Sequence, residues 1–61
     1  MNFKVGNLVQ YTDLEGTDTG LVTYIDKERI RIKWLDTHYD NSREYNYLLK
    51  EKCVKRFIVI S

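Results

Sequence analysis

The sequence has no proline and a single cysteine, Cys53, among its 61 residues. One cysteine cannot form an internal disulfide, whereas small secreted domains are usually stabilised by several. We therefore expect a cytoplasmic protein whose thiol is reduced and packs as a small apolar side chain at the base of the last strand. The length allows one domain, residues 1–61.

Long apolar runs and excess charge are also missing. No run approaches the roughly 20 apolar residues of a membrane span, and the first residues lack a signal-peptide layout. Ten basic and nine acidic residues give a net charge of +1, which provides no overall attraction to nucleic acid or to membranes. A chain this short has a small core without room for a substrate cleft, so an enzyme is not expected.

Residues for metal binding or covalent catalysis are equally scarce. The only histidine, His38, lies near Asp36 and Asp40 in sequence but far from Cys53, and this spacing fits neither a zinc site nor an activated nucleophile. No glycine-rich phosphate loop is present. The sequence predicts no catalytic residue, no metal and no cofactor.

What the chain does have is a strand pattern. Apolar and basic side chains alternate along residues 29–35, in the order Arg29, Ile30, Arg31, Ile32, Lys33, Trp34. Such alternation is typical of an antiparallel strand with one buried and one solvated face. Together with residues 20–26 it predicts a hairpin, and a core containing Val9, Val22, Ile25, Ile30, Ile32 and Phe57.

Similar patterns predict five strands, at residues 8–11, 20–26, 29–35, 43–47 and 53–60. Residues 12–19 are predicted to be a loop, and residues 48–52 hold one helical turn at most. Because both Val22 and Ile25 are needed in the core, we expect a β-bulge near Thr23 and Tyr24. Short strands with frequent turns indicate an all-β closed or half-open barrel, which would also pair the apolar residues 57–60 inside a sheet.

Several short motifs resemble the SH3-like barrels of the Tudor and KOW type. They are Val5-Gly6-Asn7-Leu8-Val9, Gly20-x-Val22-x-x-Ile25, Ile30-x-Ile32-x-Trp34-Leu35-Asp36 and Tyr39-Asp40-Asn41-Ser42-Arg43-Glu44. The resemblance implies a five-stranded SH3-like barrel, with a short 3₁₀ turn at Leu48-Leu49 before the last strand. It also implies that Gly20 lies where a side chain would crowd the first strand or where φ is positive.

Tudor domains hold methylated side chains in an aromatic cage. Tyr39 matches one cage position and Tyr11 lies near another, but Asp18 and Thr19 stand where a further aromatic residue belongs, so the cage is incomplete. KOW domains contact RNA, or RNA polymerase and ribosomal partners. Their first loop is basic and glycine-rich, whereas the corresponding loop of this chain is acidic.

Two functions are therefore expected. The first, favoured by the balanced charge, is a protein-interaction module that uses a tyrosine-rich face, with candidate partner-binding residues Tyr11, Tyr24, Trp34, Tyr39, Tyr45 and Tyr47. The alternative is a barrel that binds DNA or RNA through a basic strand face, with candidate residues Arg29, Arg31, Lys33, Lys52, Lys55 and Arg56.

Overall fold

The computed structural model describes residues 3–35 and 44–61, and within them the protein is all-β, as predicted. Five antiparallel strands form one sheet. The elements are β1 (Leu8–Asp13), β2 (Gly16–Ile25), β3 (Arg29–Trp34), β4 (Glu44–Leu48), a 3₁₀ helix (Val54–Arg56) and β5 (Ile58–Val59). In the described part of the chain no helix is long and apolar enough to span a membrane.

The sheet has the strand order β4-β3-β2-β1-β5. Strands β1 to β4 pair with their neighbours in sequence, and β5 returns to pair with β1. The sheet is not closed, because β4 and β5 form its two edges. We call the face that carries the core the inner face and the opposite one the outer face.

The prediction of a loop at residues 12–19 is wrong, because β1 and β2 continue as a hairpin to the pair Asp13 and Gly16. Aspartate before the turn and glycine after it are typical of a type I turn. The Asp13 carboxylate accepts a hydrogen bond from the Glu15 N–H at 2.8 Å, and Gly16 has a φ of 136°. Asp13 and Gly16 thus mark the hairpin tip, whereas the turn-forming residues Thr17 and Asp18 lie within β2.

The predicted β-bulge is present in β2, where the pairing with β3 shifts register between Val22 and Tyr24. The shift lets both Val22 and Ile25 point to the inner face, although Ile25 is only half-buried. It also places Tyr24 opposite Arg31 on the outer face.

The prediction of a strand over residues 53–60 is wrong in its first half. Cys53 is half-buried and precedes the 3₁₀ helix, in which successive i to i+3 hydrogen bonds end at Phe57. This turn directs Val54 and Phe57 into the core, which an extended strand would not do for two residues three apart. Only Ile58–Val59 remains a strand, and it lies at the sheet edge with both side chains exposed.

The 3₁₀ turn therefore does precede the last strand, but at Val54–Arg56 and not at Leu48-Leu49. Leu48 instead ends β4, and Glu51 closes the following turn by accepting a hydrogen bond from the Leu48 N–H at 2.7 Å. The predicted start of the fourth strand at Arg43 lies outside the described residues.

The core forms on the inner face of the sheet. Five of the predicted core residues are buried, namely Val9, Val22, Ile30, Ile32 and Phe57, and Phe3 and Val54 complete the cluster. Neither addition was expected, because Phe3 precedes the first strand and Val54 was assigned to a strand.

Gly20 is buried between β1 and β3, opposite Val9 on one side and Trp34 on the other. A Cβ atom here would collide with Cγ2 of Ile32 and would lie 2.8 Å from Cε3 of Trp34. The glycine is therefore required by the close approach of two β3 side chains, and not by crowding against the first strand or by a positive φ.

Replacing Gly20 by valine is expected to unfold the domain, because the added methyl groups have no space beside Ile32 and Trp34. Thermal unfolding followed by circular dichroism measures this. Leu21→Val is the control, since residue 21 is adjacent in β2 but faces the other way. A folded Gly20→Val variant of parental stability would contradict the assigned packing.

Ile32→Ala is expected to lower the free energy of unfolding by about 2–5 kcal/mol, because it removes a fully buried side chain from a small core. Urea denaturation provides the measurement, and Ile58→Ala at the exposed sheet edge is the matched control. Equal effects of the two substitutions would show that Ile32 is not a core residue.

Candidate functional site

An aromatic cluster surrounds the buried ring of Phe57. The ring centroid lies 5.8 Å from that of Tyr11, 5.7 Å from that of Trp34 and 5.6 Å from that of Tyr47, with interplanar angles of 80–89°. Phe3 completes the cluster at 6.4 Å. These edge-to-face contacts are the geometry that aromatic pairs prefer.

Three strands deliver the partly exposed members of this cluster. Tyr11 comes from β1, Trp34 from β3 and Tyr47 from β4, and all three are half-buried. The Trp34 indole N–H donates a hydrogen bond to the Tyr47 hydroxyl at 2.9 Å. Burial raises the pKa of the Tyr47 hydroxyl. The cluster is thus fixed by both packing and a hydrogen bond, and each of the three presents part of its surface to solvent.

Tyr45 lies on the same face as this cluster. It precedes Tyr47 by two residues in β4 and pairs with the buried Ile32, so its side chain is on the inner face. It is 37% exposed. Together, Tyr11, Trp34, Tyr45 and Tyr47 form what we call the aromatic face.

The other two candidate partner-binding residues do not join the aromatic face. Tyr24 lies on the outer face because of the bulge, and Tyr39 lies outside the described residues. The predicted tyrosine set is therefore divided between the two faces of the sheet, and grouping the residues by type alone does not show this.

Tyr24 belongs instead to a polar network on the outer face. The guanidinium carbon of Arg31 lies 5.2 Å from the centroid of the Tyr24 ring, a cation–π contact. The Arg31 Nε–H donates to Oδ1 of Asn46 in β4 at 3.0 Å. The Tyr24 hydroxyl donates to Oδ2 of Asp26 at 2.8 Å.

Asp26 anchors this network to the turn between β2 and β3. Its Oδ1 accepts hydrogen bonds from the N–H groups of Glu28 and Arg29, each at 2.8 Å. The bond from Glu28, followed by the bond from the Tyr24 hydroxyl, lowers the pKa of Asp26 below its usual range. The hydrogen bond to Asp26 in turn raises the pKa of Tyr24, which stays a neutral phenol at physiological pH.

The six basic candidate residues are placed in different surroundings. Arg29 and Lys33 flank Arg31 at alternate positions of β3, so these three share the outer face. Arg56 lines an open groove with the acidic hairpin tip, beside Asp13 and Glu15. Lys52 is exposed in the turn before the 3₁₀ helix, and Lys55 is exposed within the helix.

Phe57 was predicted to be buried, but its role as the centre of the aromatic cluster, and the roles of Asn46 and Asp26 in the polar network, were not predicted from the sequence. Asn46 reaches Arg31 through the pairing of β3 with β4, Asp26 acts from the turn after β2, and Phe57 is the centre of the aromatic cluster because the 3₁₀ helix turns it inward. A second open groove, lined by Lys27, Glu28, Leu48, Leu49 and Lys50, was also not expected. Position in the sheet, and not residue type, defines these features.

Within residues 3–35 and 44–61 there is no group of three or more histidine, cysteine or acidic side chains that could hold a metal ion. His38, Asp36 and Asp40 lie outside those ranges. Comparison of the chain with protein-family models, curated proteins and solved structures gives no match. The function is therefore inferred from the geometry of the described residues.

Tyr24→Phe is expected to raise the pKa of Asp26 toward its ordinary value, because the hydroxyl that stabilises the carboxylate is removed. A carboxyl whose pKa is lowered by folding stabilises the protein above its unfolded pKa, and this contribution disappears as pH falls through the folded pKa. The stability difference between parent and variant should therefore be largest near neutral pH and shrink on acidification.

An NMR titration of the Asp26 carboxyl carbon measures the shift directly. Tyr45→Phe removes a hydroxyl from the opposite face and is the control. An Asp26 pKa that is the same in the parent and in Tyr24→Phe would contradict the hydrogen bond.

Proposed function

We propose that this chain is a small SH3-like barrel that acts as a non-enzymatic protein-interaction module and binds its partner through the aromatic face. One observation carries the proposal: half-buried aromatic side chains from three strands converge on Phe57 and remain partly accessible. The return of β5 to pair with β1, beyond four sequentially paired strands, supports the barrel topology. The lone thiol fits a reducing cytoplasm.

Tyrosine and tryptophan are enriched at the centres of protein interfaces because they combine a large apolar surface with a polar group. In this protein the Tyr11, Trp34 and Tyr47 side chains are already held in place by their contacts with Phe57 and by the hydrogen bond between Trp34 and Tyr47. Fixed side chains lose little conformational freedom on binding, so less of the contact energy is spent on ordering them. The aromatic face is thus suited to an extended peptide segment with apolar side chains.

The same geometry favours an apolar partner over a methylated cation. A cage needs several ring faces within about 6 Å of one cation. The described rings pack edge to face on Phe57 and on each other, as in the 80° arrangement of Trp34 and Tyr47. They surround a phenylalanine ring where a cage would surround its ligand.

The proposal predicts that Tyr45→Ser weakens partner binding about tenfold or more, because exposed interface tyrosines are frequent hot spots. Tyr24→Ser is the matched control, since Tyr24 is similarly exposed, at 41% against 37%, but lies on the other face. Partners are first captured from native lysate with and without nuclease, and the purified partner is then titrated.

Trp34 is the only tryptophan in the chain, so its fluorescence reports directly on the aromatic face. Partner binding should shift its emission in the parent protein. A partner that leaves this emission unchanged, or that is lost with Tyr24→Ser and retained with Tyr45→Ser, would show that the aromatic face is not the binding surface.

A further inference from the structure

The outer face holds an arginine in one orientation. Arg31 is fixed by the Tyr24 ring beneath its guanidinium and by the bond from its Nε–H to Asn46. The carboxylate of this network, Asp26, accepts its hydrogen bonds from the Tyr24 hydroxyl and from two N–H groups of the turn. The terminal amino groups of Arg31 are therefore preorganised donors for an oxyanion, and a planar guanidinium is well matched to phosphate.

Tyr24 adds a stacking surface next to this donor. The residue is 41% exposed, one face of its ring is in contact with the Arg31 guanidinium, and its hydroxyl is held by Asp26. A base can stack on an exposed aromatic ring whatever its identity, because every base has a π-face. A ring and an oriented guanidinium in contact match the alternation of base and phosphate along a nucleic-acid strand.

The charges around this pair extend the match. Arg29 and Lys33 lie on either side of Arg31 on the same face, with a spacing of about 6.5–7 Å between alternate residues of a strand. Both oxygens of Asp26 are engaged within the network, and Glu44 pairs with Lys33 at the other end of the row. The Asp26 carboxylate offsets part of the charge of Arg29 and Glu44 lies opposite Lys33, so the basic row is centred on Arg31.

We propose that the outer face binds a single-stranded nucleic acid, with a base stacked on Tyr24 and the adjoining phosphates on Arg31 and its two basic neighbours. The strand is single because only an unpaired base can stack on Tyr24. An acidic peptide would use the guanidinium but would leave the ring uncovered. The site lies on the face opposite the aromatic face, so the two proposals can fail independently.

The test is fluorescence anisotropy with labelled oligothymidylate and oligouridylate of about ten nucleotides, a length within the range of small single-strand binding domains. Both should bind at low salt, with log K falling against log salt with a slope of about −2 for three phosphate contacts. Equal binding would assign recognition to the phosphates and pyrimidine rings that both probes contain, and a preference would assign a part of it to the 2′-hydroxyl or to the thymine methyl group. Either result supports the proposal.

Arg31→Lys keeps the charge but loses the planar, stacked guanidinium, and Tyr24→Leu removes the ring. Each should weaken binding about tenfold, the usual size of one stacking contact. Lys55→Ala removes a charge elsewhere and Tyr45→Ser alters the aromatic face, so both should bind within about twofold of the parent. All four positions are exposed or partly exposed, so the variants are expected to fold. Circular dichroism of each variant checks this.

Three results would overturn the proposal. The first is no binding of either oligonucleotide by the parent protein at low salt. The second is equally tight binding of polyglutamate or of a duplex of the same length. The third is an Arg31→Lys variant that binds as the parent does.

Discussion

The edge-to-face packing of four aromatic rings on Phe57 holds the two ends of the sheet together. Tyr11, Trp34 and Tyr47 come from β1, β3 and β4, and Phe57 itself follows the 3₁₀ helix. Main-chain pairing orders the strands, but it does not connect β4 to β1 across an open sheet. The aromatic cluster makes this connection, and so the aromatic face exists only because the core is built around one ring.

The β-bulge in β2 gives the two faces their separate chemistry. By shifting the register after Val22, it keeps Ile25 with the core and sends Tyr24 to the outer face beside Arg31. Without the extra residue, Tyr24 would share the face of Val22. A single irregularity therefore separates the aromatic face from the polar network of Tyr24 and Arg31.

Much of the fold could be predicted from alternation, because the pattern of Ile30 and Ile32 and the competing demands of Val22 and Ile25 determine register and bulge. The hairpin at Asp13 and the 3₁₀ helix at Val54 were missed, since turn residues there are dispersed and the apolar spacing resembles a strand. The candidate sites were less predictable from the sequence than the fold. The contact of Arg31 with Asn46 joins residues fifteen positions apart and depends on strand pairing that composition does not reveal.

The position of Phe57 in the chain also determines when the core can form. Strands β1 to β4 pair with sequence neighbours and can form early as local hairpins, since short loops close at low entropic cost. Their shared apolar surface stays open until residues 54–57 join it, because Val54 and Phe57 complete the core. A chain truncated before residue 54 would therefore leave Ile30 and Ile32 without Val54 and Phe57, so the step that closes the core is a long-range contact and not a local one.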